Sequence, residues 1–450
     1  SMEAQLSRPL MALRLIFLLC FFSALARCCR FLAAEAAPTL VTRLPGLDGA
    51  LPFRLETGYV IVDEEKGSEL FYYFIESEGD PRRDPVVLWL TGGDRCSVLR
   101  ALLFEIGPLK IIGEPYNGTI PRLRYHPYSW TKVASILFVD SPVGAGFSFS
   151  RNPTGYHVGE VSSSLQLKKF LTKWSTEHPY YIANHFYIGG DSAGGKIVPF
   201  LAQKISEDIE ARVRPLINLK GYLVGNPGTG ESIDFESRVP FLHGMGIISD
   251  QLYELYDEIY RPHILFKKCV YASSGTNDGS IERKILKEEA GVLKHPPPRL
   301  PMDCHNYGTY LSYFWANNNI TRDALGIKKG SKDEWVRCHE GDLPYSFDIK
   351  STIKYHRNMT LKGYPALVYS GDHDSAVPFL GTQSWVRSLN FPIVDEWRAW
   401  HLDGQSAGFT ITYTNNLTFA TVKGGGHTAP EFQPERCLAM FRRWVCREPL

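Results

Sequence analysis

The sequence predicts an α/β fold built on a central, mostly parallel sheet with helices on both faces. Strand-like apolar runs end in glycines or polar residues at four places, namely residues 86–90, 186–188, 366–370 and 419–422. The second of these runs leads through a tight turn into a helix-like segment that starts near Lys196. Open α/β sheets build their sites just beyond the carboxyl ends of such strands, so each of these turns is a candidate for the functional site.

Length and composition favour one large domain. The 450 residues would allow two or three average domains, but no low-complexity linker and no internal repeat divides them. Apolar residues make up 44% of the chain, which is enough for a large core. We therefore predict a single domain over residues 38–450, preceded by a leader over residues 1–37. The formal net charge of +1 gives no reason to expect a nucleic-acid partner.

The turn after the second run reads Gly-Asp-Ser-Ala-Gly, at residues 190–194. Small residues on both sides of a serine suit a sharp strand-to-helix turn, in which the serine backbone is strained and its hydroxyl stands out into a cleft. Ser192 is therefore the candidate nucleophile. An ordinary strand-to-helix turn would explain the same pentapeptide, so the assignment depends on the rest of the chain.

A serine nucleophile needs a general base and a carboxylate that orients this base. Asp372 and Asp374 come after the third run, and His427 comes after the fourth. Taken singly, the acids are explained as turn residues and the histidine as a loop residue between glycines. With Ser192 they follow the order serine, aspartate, histidine at strand ends, and this order favours a catalytic triad.

Acyl transfer also needs backbone N–H groups that stabilise an oxyanion. The first run ends in Thr91, Gly92 and Gly93, and paired glycines leave amides free to point into the cleft. We assign one donor to Gly93 and the other to Ala193, the residue after the nucleophile. The alternative is a simple turn without this role.

These segments resemble those of the serine carboxypeptidase family, and the resemblance extends from about Pro45 to the C-terminus. Further matching segments are residues 104–109, 139–148, 221–227 and 243–249. The resemblance implies an α/β-hydrolase fold with an inserted helical lid, which we place at about residues 230–345, where the sequence becomes more helical and charged. It also implies that Asp374, rather than Asp372, is the acid of the triad.

Two branches of this family differ at positions that face the substrate. True carboxypeptidases carry an asparagine before the paired glycines and a glutamate before the nucleophile, whereas this chain has Thr91 and Asp191. These residues resemble the plant acyltransferases of the family, which transfer an acyl group from a 1-O-β-glucose ester to an alcohol. A placed hydrogen-bonding group in a buried site contributes about 1–3 kcal/mol, enough to change the preferred ligand. The resemblance implies substrate contacts at Thr91, Gly92, Asp191 and Glu105; the alternative for Glu105 is a solvated helix charge.

We therefore predict an acyltransferase that moves an acyl group, expected to be aromatic, from an acyl-glucose donor to an alcohol acceptor of specialised metabolism through an acyl-serine. The alternatives are a secreted or vacuolar serine carboxypeptidase or esterase, and a binding protein with impaired catalysis. The chain departs from the family at Asp94 and Arg95, where proline and glycine are usual, and at Ala193, where tyrosine is usual. The smaller Ala193 leaves volume for a bulky aryl acyl group.

The N-terminus predicts entry into the secretory pathway. Arg14 precedes an apolar run over residues 15–22, as in a signal peptide that ends near Ala37. Arg27 and Arg30 interrupt this run too early for a stable membrane span, although a signal anchor is the alternative. We expect a vacuolar or extracellular protein without stable membrane association.

Of nine cysteines, three lie in the leader, and the other six allow fifteen pairings. The resemblance implies a bridge between Cys96 and Cys338, and Cys269 with Cys304 is the next pairing. No cysteine spacing forms a convincing zinc pattern, so neither a metal nor another cofactor is expected. Four glycosylation sequons, at Asn117, Asn319, Asn358 and Asn416, suit a secreted glycoprotein.

Overall fold

The computed structural model describes residues 37–249, 263–266, 270–272, 283–285, 297, 299–339 and 341–450. Its strands are, in chain order, β1 (Thr39–Val41), β2 (Leu55–Asp63), β3 (Ser68–Ile75), β4 (Val86–Leu90), β5 (Leu109–Ile111), β6 (Leu123–Tyr125), β7 (Ser135–Val139), β8 (Phe149–Ser150), β9 (Val158–Gly159), β10 (Phe186–Asp191), β11 (Leu219–Gly225), β12 (Val270–Ala272), β13 (Arg283–Ile285), β14 (Tyr345–Ser346), β15 (Ala366–Gly371), β16 (Ile393–Leu402), β17 (Gln405–Tyr413) and β18 (Leu417–Val422). Its α-helices are α1 (Glu160–Glu177), α2 (Gly194–Glu210), α3 (Ile233–Glu236), α4 (Arg238–Gly244), α5 (Tyr307–Asn317), α6 (Asn319–Ala324), α7 (Ile353–Leu361), α8 (Phe379–Ser388), α9 (Ala429–Phe432) and α10 (Pro434–Val445). A π-helical turn occupies Ala101–Glu105.

In the described residues, one sheet of 12 strands has the order β1-β2-β3-β7-β4-β10-β11-β15-β18-β17-β16, with β8 beside β3. The six central strands, from β7 to β18, pair in parallel. This parallel centre is the part that the apolar runs predict. The strands at both edges pair antiparallel, which the sequence reasoning did not foresee.

The antiparallel edge at β16 and β17 follows from its connection. The two strands are joined by Asp403 and Gly404, whose φ angles of 49° and 74° lie in the left-handed region. A two-residue Asp-Gly turn of this kind reverses the chain with the twist that hairpins need. A parallel pair would instead need a crossover of a dozen or more residues. The Asp-Gly dipeptide is therefore the sequence signal for this hairpin.

Helices cover both faces of the sheet, because its central strands are apolar on both sides. In β4, for example, Val87 and Trp89 belong to one buried cluster, whereas Val86 and Leu88 belong to the other. The first cluster includes residues of α5 and α10, and the second includes residues of α1, α2, α7 and α8. The predicted α/β class with helices on both faces is confirmed.

The segment predicted as a lid connects β11 to β15, which are neighbours in the sheet. Parts of it lie outside the described residues, as does nearly all of the predicted leader. Its described helices are α3 to α6. Helix α5 packs on the sheet: Trp315 is 1% exposed and its indole N–H donates to the Pro45 carbonyl at 2.9 Å. Among the described helices, we find none that is long and apolar enough to cross a bilayer.

A disulfide joins Cys96 to Cys338, as the resemblance implies. It links the start of the segment after β4 to the lid segment across 242 residues. Cys304 is also disulfide-bonded, and Cys269, its expected partner, lies outside the described residues. Cys437 and Cys446 are free thiols, the first buried and the second exposed.

We expect replacement of both Cys96 and Cys338 by alanine to lower the free energy of unfolding by about 2–5 kcal/mol, because a bridge across a long loop restricts the unfolded chain. Urea unfolding followed by tryptophan fluorescence measures this change. Cys446→Ala is the matched control, since this thiol is exposed and unpaired. Equal stability of the double variant and the control would contradict the prediction.

Candidate active site

The predicted nucleophile lies where β10 turns into α2. Ser192 has a φ of 50°, in the left-handed region, a conformation that costs about 1–3 kcal/mol for a non-glycine residue. Three hydrogen bonds of 2.9 Å hold it there: its N–H donates to the Gly225 carbonyl, and its carbonyl accepts from the N–H groups of Gly195 and Gly228. The local backbone thus compensates the strain and fixes the hydroxyl.

Glycines surround Ser192 because other chain segments approach it closely. A Cβ atom at Gly190 would lie 2.7 Å from the Leu90 carbonyl oxygen, and one at Gly194 would lie 3.1 Å from the same atom. A Cβ atom at Gly92 would lie 2.5 Å from the Ser192 Cβ. The loop after β4 can therefore reach the serine only without a side chain at position 92.

The structure brings the three predicted side chains together in one hydrogen-bonded chain. The His427 Nε2 lies 2.7 Å from the Ser192 Oγ, and the His427 Nδ1 lies 2.8 Å from the Asp374 Oδ2. A carboxylate at Nδ1 favours the tautomer that keeps its proton there, so Nε2 is the acceptor for the serine hydroxyl. This geometry suits proton abstraction from Ser192.

Asp374, not Asp372, is the acid that contacts the histidine. It is fully buried and accepts further hydrogen bonds from the Asn226 Nδ2 at 2.8 Å and from the backbone N–H groups of Ala376 and Val377 at 2.7 and 3.1 Å. Asp372 instead accepts from the Gly424 N–H at 2.7 Å. The carboxylate of Asp374 therefore has fixed partners on every side.

Asn226 is a residue that sequence reasoning missed. Its φ of 40° is left-handed, its side-chain N–H donates to Asp374, and its side-chain oxygen accepts from the Gly371 N–H at 3.0 Å. It thus ties the end of β11 to the end of β15. The only sequence signal was its place in the matching segment 221–227, which assigned it no role.

The environment of His427 controls its charge. Burial disfavours the imidazolium, but the charge and the hydrogen bond of Asp374 outweigh burial, so the pKa of His427 is raised above its ordinary value. Because a base must be unprotonated, a raised pKa keeps the base inactive up to a higher pH than for a free imidazole.

We therefore expect the rate at which a fluorophosphonate labels Ser192 to fall as pH falls through the pKa of His427, with a midpoint above about 6.5, the ordinary histidine value. A series of single-exponential labelling reactions across pH measures this midpoint, and thermal unfolding at each pH shows that the protein stays folded. A midpoint below the ordinary value would contradict the prediction.

The two predicted oxyanion donors lie beside the nucleophile on the loop after β4 and at the start of α2. Gly93 has a φ of 85°, and no acceptor within the described chain takes the N–H of Gly93 or of Ala193. The N–H of Gly92, by contrast, donates to the Asp191 Oδ1 at 2.7 Å. Gly93, rather than Gly92, thus has a backbone donor available.

Two buried acids, Asp191 and Glu105, flank the site. The Asp191 Oδ2 and both carboxyl oxygens of Glu105 lack hydrogen bonds from the described residues. Burial, only partly offset by His427 and the Gly92 N–H, raises the pKa of Asp191 to about 6. Burial, with repulsion from Asp191, raises the pKa of Glu105 well above its ordinary value, despite the attraction of Arg100. With 1% exposure, Glu105 is not a solvated helix charge.

Arg100 and Glu431 form an ion pair next to these acids, and sequence reasoning missed both. The Arg100 Nη2 lies 2.7 Å from the Glu431 Oε2, and its Nε lies 3.5 Å from the Glu105 Oε1. Although burial raises the pKa of Glu431, Arg100 brings it well below the ordinary value. Glu431 therefore stays ionised, whereas Glu105 holds its proton more tightly. Glu431 lies four residues after His427, which is the spacing that could have pointed to it.

Asp94 and Arg95, which follow the paired glycines and differ from the residues usual in the family, have different surroundings. Arg95 is 1% exposed, and its Nη2 donates to the carbonyls of Tyr156 and Pro344, both at 2.8 Å. Asp94, in contrast, lines a cleft beside the elbow, together with Thr91. In the described part of the chain, no group of three or more histidine, cysteine, aspartate or glutamate side chains could hold a metal ion.

Comparison with known proteins places this geometry in a family. A profile described as serine carboxypeptidase matches residues 45–447. Serine carboxypeptidase-like 19 of Arabidopsis thaliana is 45% identical over 449 residues, covering 92% of this chain and 95% of the relative. Serine carboxypeptidase-like 11 of the same plant is 47% identical over 423 residues, with 92% and 95% coverage.

Among solved structures, the prohormone-processing carboxypeptidase Kex1(delta)p of Saccharomyces cerevisiae aligns with a TM-score of 0.71. It is 18% identical, and the alignment covers 91% of this chain and 95% of that structure. The predicted α/β-hydrolase fold is thereby confirmed. With the profile match and the plant relatives, these findings show that the chain belongs to the serine carboxypeptidase family.

Proposed function

We propose that the protein is an acyltransferase that moves an acyl group from a 1-O-β-glucose ester to an alcohol through an acyl-serine. The observation that supports it most directly is the hydrogen-bonded chain of Ser192, His427 and Asp374, next to N–H groups of Gly93 and Ala193 for which the described residues provide no acceptor. These groups supply a nucleophile, a base, an orienting acid and donors for an oxyanion.

In the first half-reaction, the Ser192 Oγ attacks the ester carbonyl carbon while its proton passes to the His427 Nε2. The negative charge on the carbonyl oxygen is stabilised by the N–H groups of Gly93 and Ala193. Cleavage of the bond to the glucose oxygen then follows, and His427 returns the proton to that oxygen. The products are free glucose and an acyl-serine.

In the second half-reaction, His427 takes the proton from an acceptor hydroxyl, whose oxygen attacks the acyl-serine carbonyl. The intermediate collapses, Ser192 regains the proton from His427, and the acylated acceptor leaves. Water competes as an acceptor. A transferase must therefore hold its alcohol acceptor at high effective concentration or exclude water from the acyl-serine.

Thr91 and Asp191 support transfer over peptide hydrolysis. Neither a glutamate nor an asparagine amide is present at these positions to bind a terminal carboxylate. Asp191 already uses one oxygen to accept from the Gly92 N–H, and its other oxygen is buried without a hydrogen bond from the described residues. Burial raises the pKa of Glu105 well above its ordinary value, which favours the protonated form, and this form can donate a hydrogen bond.

The purified protein should be incubated with an arylacyl glucose and a panel of alcohols, and separately with a blocked dipeptide. We expect acylated alcohol and free glucose from the first reaction. Released amino acid would instead support a carboxypeptidase. No product and no reaction with a fluorophosphonate would support a binding protein without catalysis. Ser192→Ala is the blank for each assay.

We also propose that the protein enters the secretory pathway and acts in the vacuole or outside the cell. The four sequon asparagines, Asn117, Asn319, Asn358 and Asn416, are all exposed, so the fold leaves each accessible for glycan attachment.

A further inference from the structure

His427 lies on the loop between β18 and α9, and Glu431 holds the residue that follows it. The Thr428 hydroxyl donates to the Glu431 Oε2 at 2.6 Å, and the Glu431 N–H donates to the Thr428 carbonyl at 2.9 Å. Because Thr428 is the next residue in the chain, these two contacts fix the backbone on the C-terminal side of the imidazole.

Arg100 connects this loop to the segment after β4. Its Nη2 donates to the same Glu431 Oε2 at 2.7 Å, although the two residues are 331 positions apart in the chain. Its Nη1 donates to the Thr309 Oγ1 of α5 at 3.3 Å. The segment after β4 also carries Gly93, the predicted oxyanion donor. The ion pair therefore joins the segment of an oxyanion donor to the loop of the base.

The second oxygen of Glu431 also has a neighbour. The His305 Nε2 lies 3.4 Å from the Glu431 Oε1. The His305 ring stacks on the ring of Phe432, with centres 4.8 Å apart and planes inclined by 17°. Glu431 thus contacts its own loop, the segment after β4 and the segment before α5, and its position is fixed from three sides.

Stability alone does not account for two charges at this place. The side chains of Arg100 and Glu431 are only 16% and 9% exposed. A buried ion pair loses hydration that its attraction regains only in part, so apolar side chains of similar volume are often as stable or more stable. The location of the pair beside the base indicates a role in the reaction instead.

Arg100 also acts on the charge of the base. Burial lowers the pKa of His427, Asp374 and Asp191 raise it, and the positive charge of Arg100 lowers it. The other titratable groups that interact with the ion pair are Glu105, Lys110 and His305. The cation of Arg100 therefore opposes the effect of the acids on the imidazole.

We propose that Arg100 and Glu431 are positioning residues for the general base. The pair holds the loop of His427 against the segment after β4, so that the His427 Nε2 stays within hydrogen-bond distance of the Ser192 Oγ. The charge of Arg100 adds a second effect, because a cation disfavours a nearby imidazolium. The inference concerns the activation of Ser192, so it goes beyond the proposed function and applies to acyl transfer and to hydrolysis alike.

The test measures the rate at which an alkyl fluorophosphonate labels Ser192 across pH, which needs neither a glucose ester nor an acceptor. The double variant Arg100→Met/Glu431→Met replaces both charges by apolar side chains of similar length, so that neither partner is left buried and unpaired. We expect this variant to remain folded in thermal unfolding. Its labelling rate at high pH should be at least about tenfold lower than that of the wild type, because a small misplacement of a catalytic group slows a reaction strongly.

The pH midpoint of labelling tests the effect of the charge. Arg100→Met and the double variant should both have a higher midpoint than the wild type, because the cation that lowers the pKa of His427 is gone. Arg100→Lys keeps the charge, so it should keep the midpoint close to that of the wild type and recover part of the rate. A merely structural role would change thermal stability without moving the midpoint.

Arg54→Met/Glu76→Met is the matched control. The Arg54 Nε lies 2.8 Å from the Glu76 Oε1. Glu76 follows Ile75, which pairs with Ile136 near the start of β7, whereas Ser192 follows the end of a strand parallel to the sheet centre. The control pair therefore lies at the opposite end of the sheet, and its loss should change neither the labelling rate nor the midpoint.

A folded double variant with the rate and midpoint of the wild type would overturn the proposal, as would an equal loss of rate in the control. An unchanged midpoint in Arg100→Met would overturn the effect of the charge. If the double variant does not fold, Arg100→Met and Arg100→Lys are compared in its place, and equal rates and midpoints in these two would overturn the proposal.

The outcome is separable from that of the proposed function. If the variants label as expected but glucose esters fail to react with the wild type, the proposed function is wrong and the positioning role stands. If glucose esters react and the double variant labels like the wild type, the reverse holds.

Discussion

Replacing Ser192 with alanine is expected to lower the kcat for acyl transfer by about 10⁶-fold, since loss of a serine nucleophile removes the covalent route. The substitution deletes only the Oγ, which donates to the His427 Nε2 at 2.7 Å, and leaves the backbone hydrogen bonds of the elbow in place. Product formation is measured by chromatography of the acylated acceptor, and labelling by a fluorophosphonate should disappear in parallel.

Thermal unfolding of the Ser192→Ala variant is the control for this prediction. Alanine at position 192 keeps the left-handed φ and the carbonyl that accepts from Gly195 and Gly228, so thermal unfolding should change little. Residual transfer above about one-hundredth of the wild-type rate, in a preparation free of contaminating enzyme, would show that Ser192 is not the nucleophile.

The sequence was most informative where local pattern and function coincide. Glycines flank Ser192 because the Leu90 carbonyl is close, and a requirement of this kind is visible in the chain itself. The central strands could also be predicted from the sequence, because both of their faces are buried and their apolar runs are therefore continuous. The ends of those runs located His427 and the two acids Asp372 and Asp374, and the resemblance to the family selected Asp374.

Residues whose role depends on partners far away in the chain could not be predicted from the sequence. Arg100 looks like a surface arginine in the sequence, and only the fold brings Glu431 within 2.7 Å of it. Arg95 is similar, because its partners belong to Tyr156 and Pro344, far along the chain. Burial of a charged side chain depends on partners that the sequence does not pair, so tertiary structure decides it.

Arg100 and Glu431, which sequence reasoning missed, change how the charge of the site is understood. Asp191, Glu105 and Glu431 would carry three negative charges close to His427 if all were ionised. The guanidinium of Arg100 is placed between Glu431 and Glu105, and the raised pKa values of Glu105 and Asp191 show how the remaining charge is reduced. The site therefore has acids that can donate hydrogen bonds as well as accept them.

Replacing Asp374 with asparagine is expected to lower kcat by about 10⁴-fold, because the amide no longer fixes the tautomer in which His427 keeps its proton at Nδ1. The substitution nearly preserves the shape of the side chain, but the N–H groups of Ala376 and Val377 donate to different oxygens of Asp374, and asparagine keeps only one oxygen. Thermal unfolding therefore has to verify that the variant is folded when its rate is measured.

The same variant carries a second expectation that a merely structural role would not produce. Burial lowers the pKa of His427, and Asp374 is the main group that raises it, with a smaller contribution from Asp191, so replacing Asp374 should lower that pKa. The residual labelling rate should then keep its value to a lower pH than in the wild type, so the pH midpoint of labelling should be lower.

The matched control is Asp372→Asn, two residues away, whose carboxylate accepts from the Gly424 N–H and does not contact His427. Asp372→Asn should lower kcat by no more than about tenfold, because the partners of Asp372, Gly424 and His373, lie outside the triad, and it should leave the low-pH side of the labelling profile unchanged. If Asp372→Asn and Asp374→Asn exchange these outcomes, the acid of the triad has been assigned to the wrong residue.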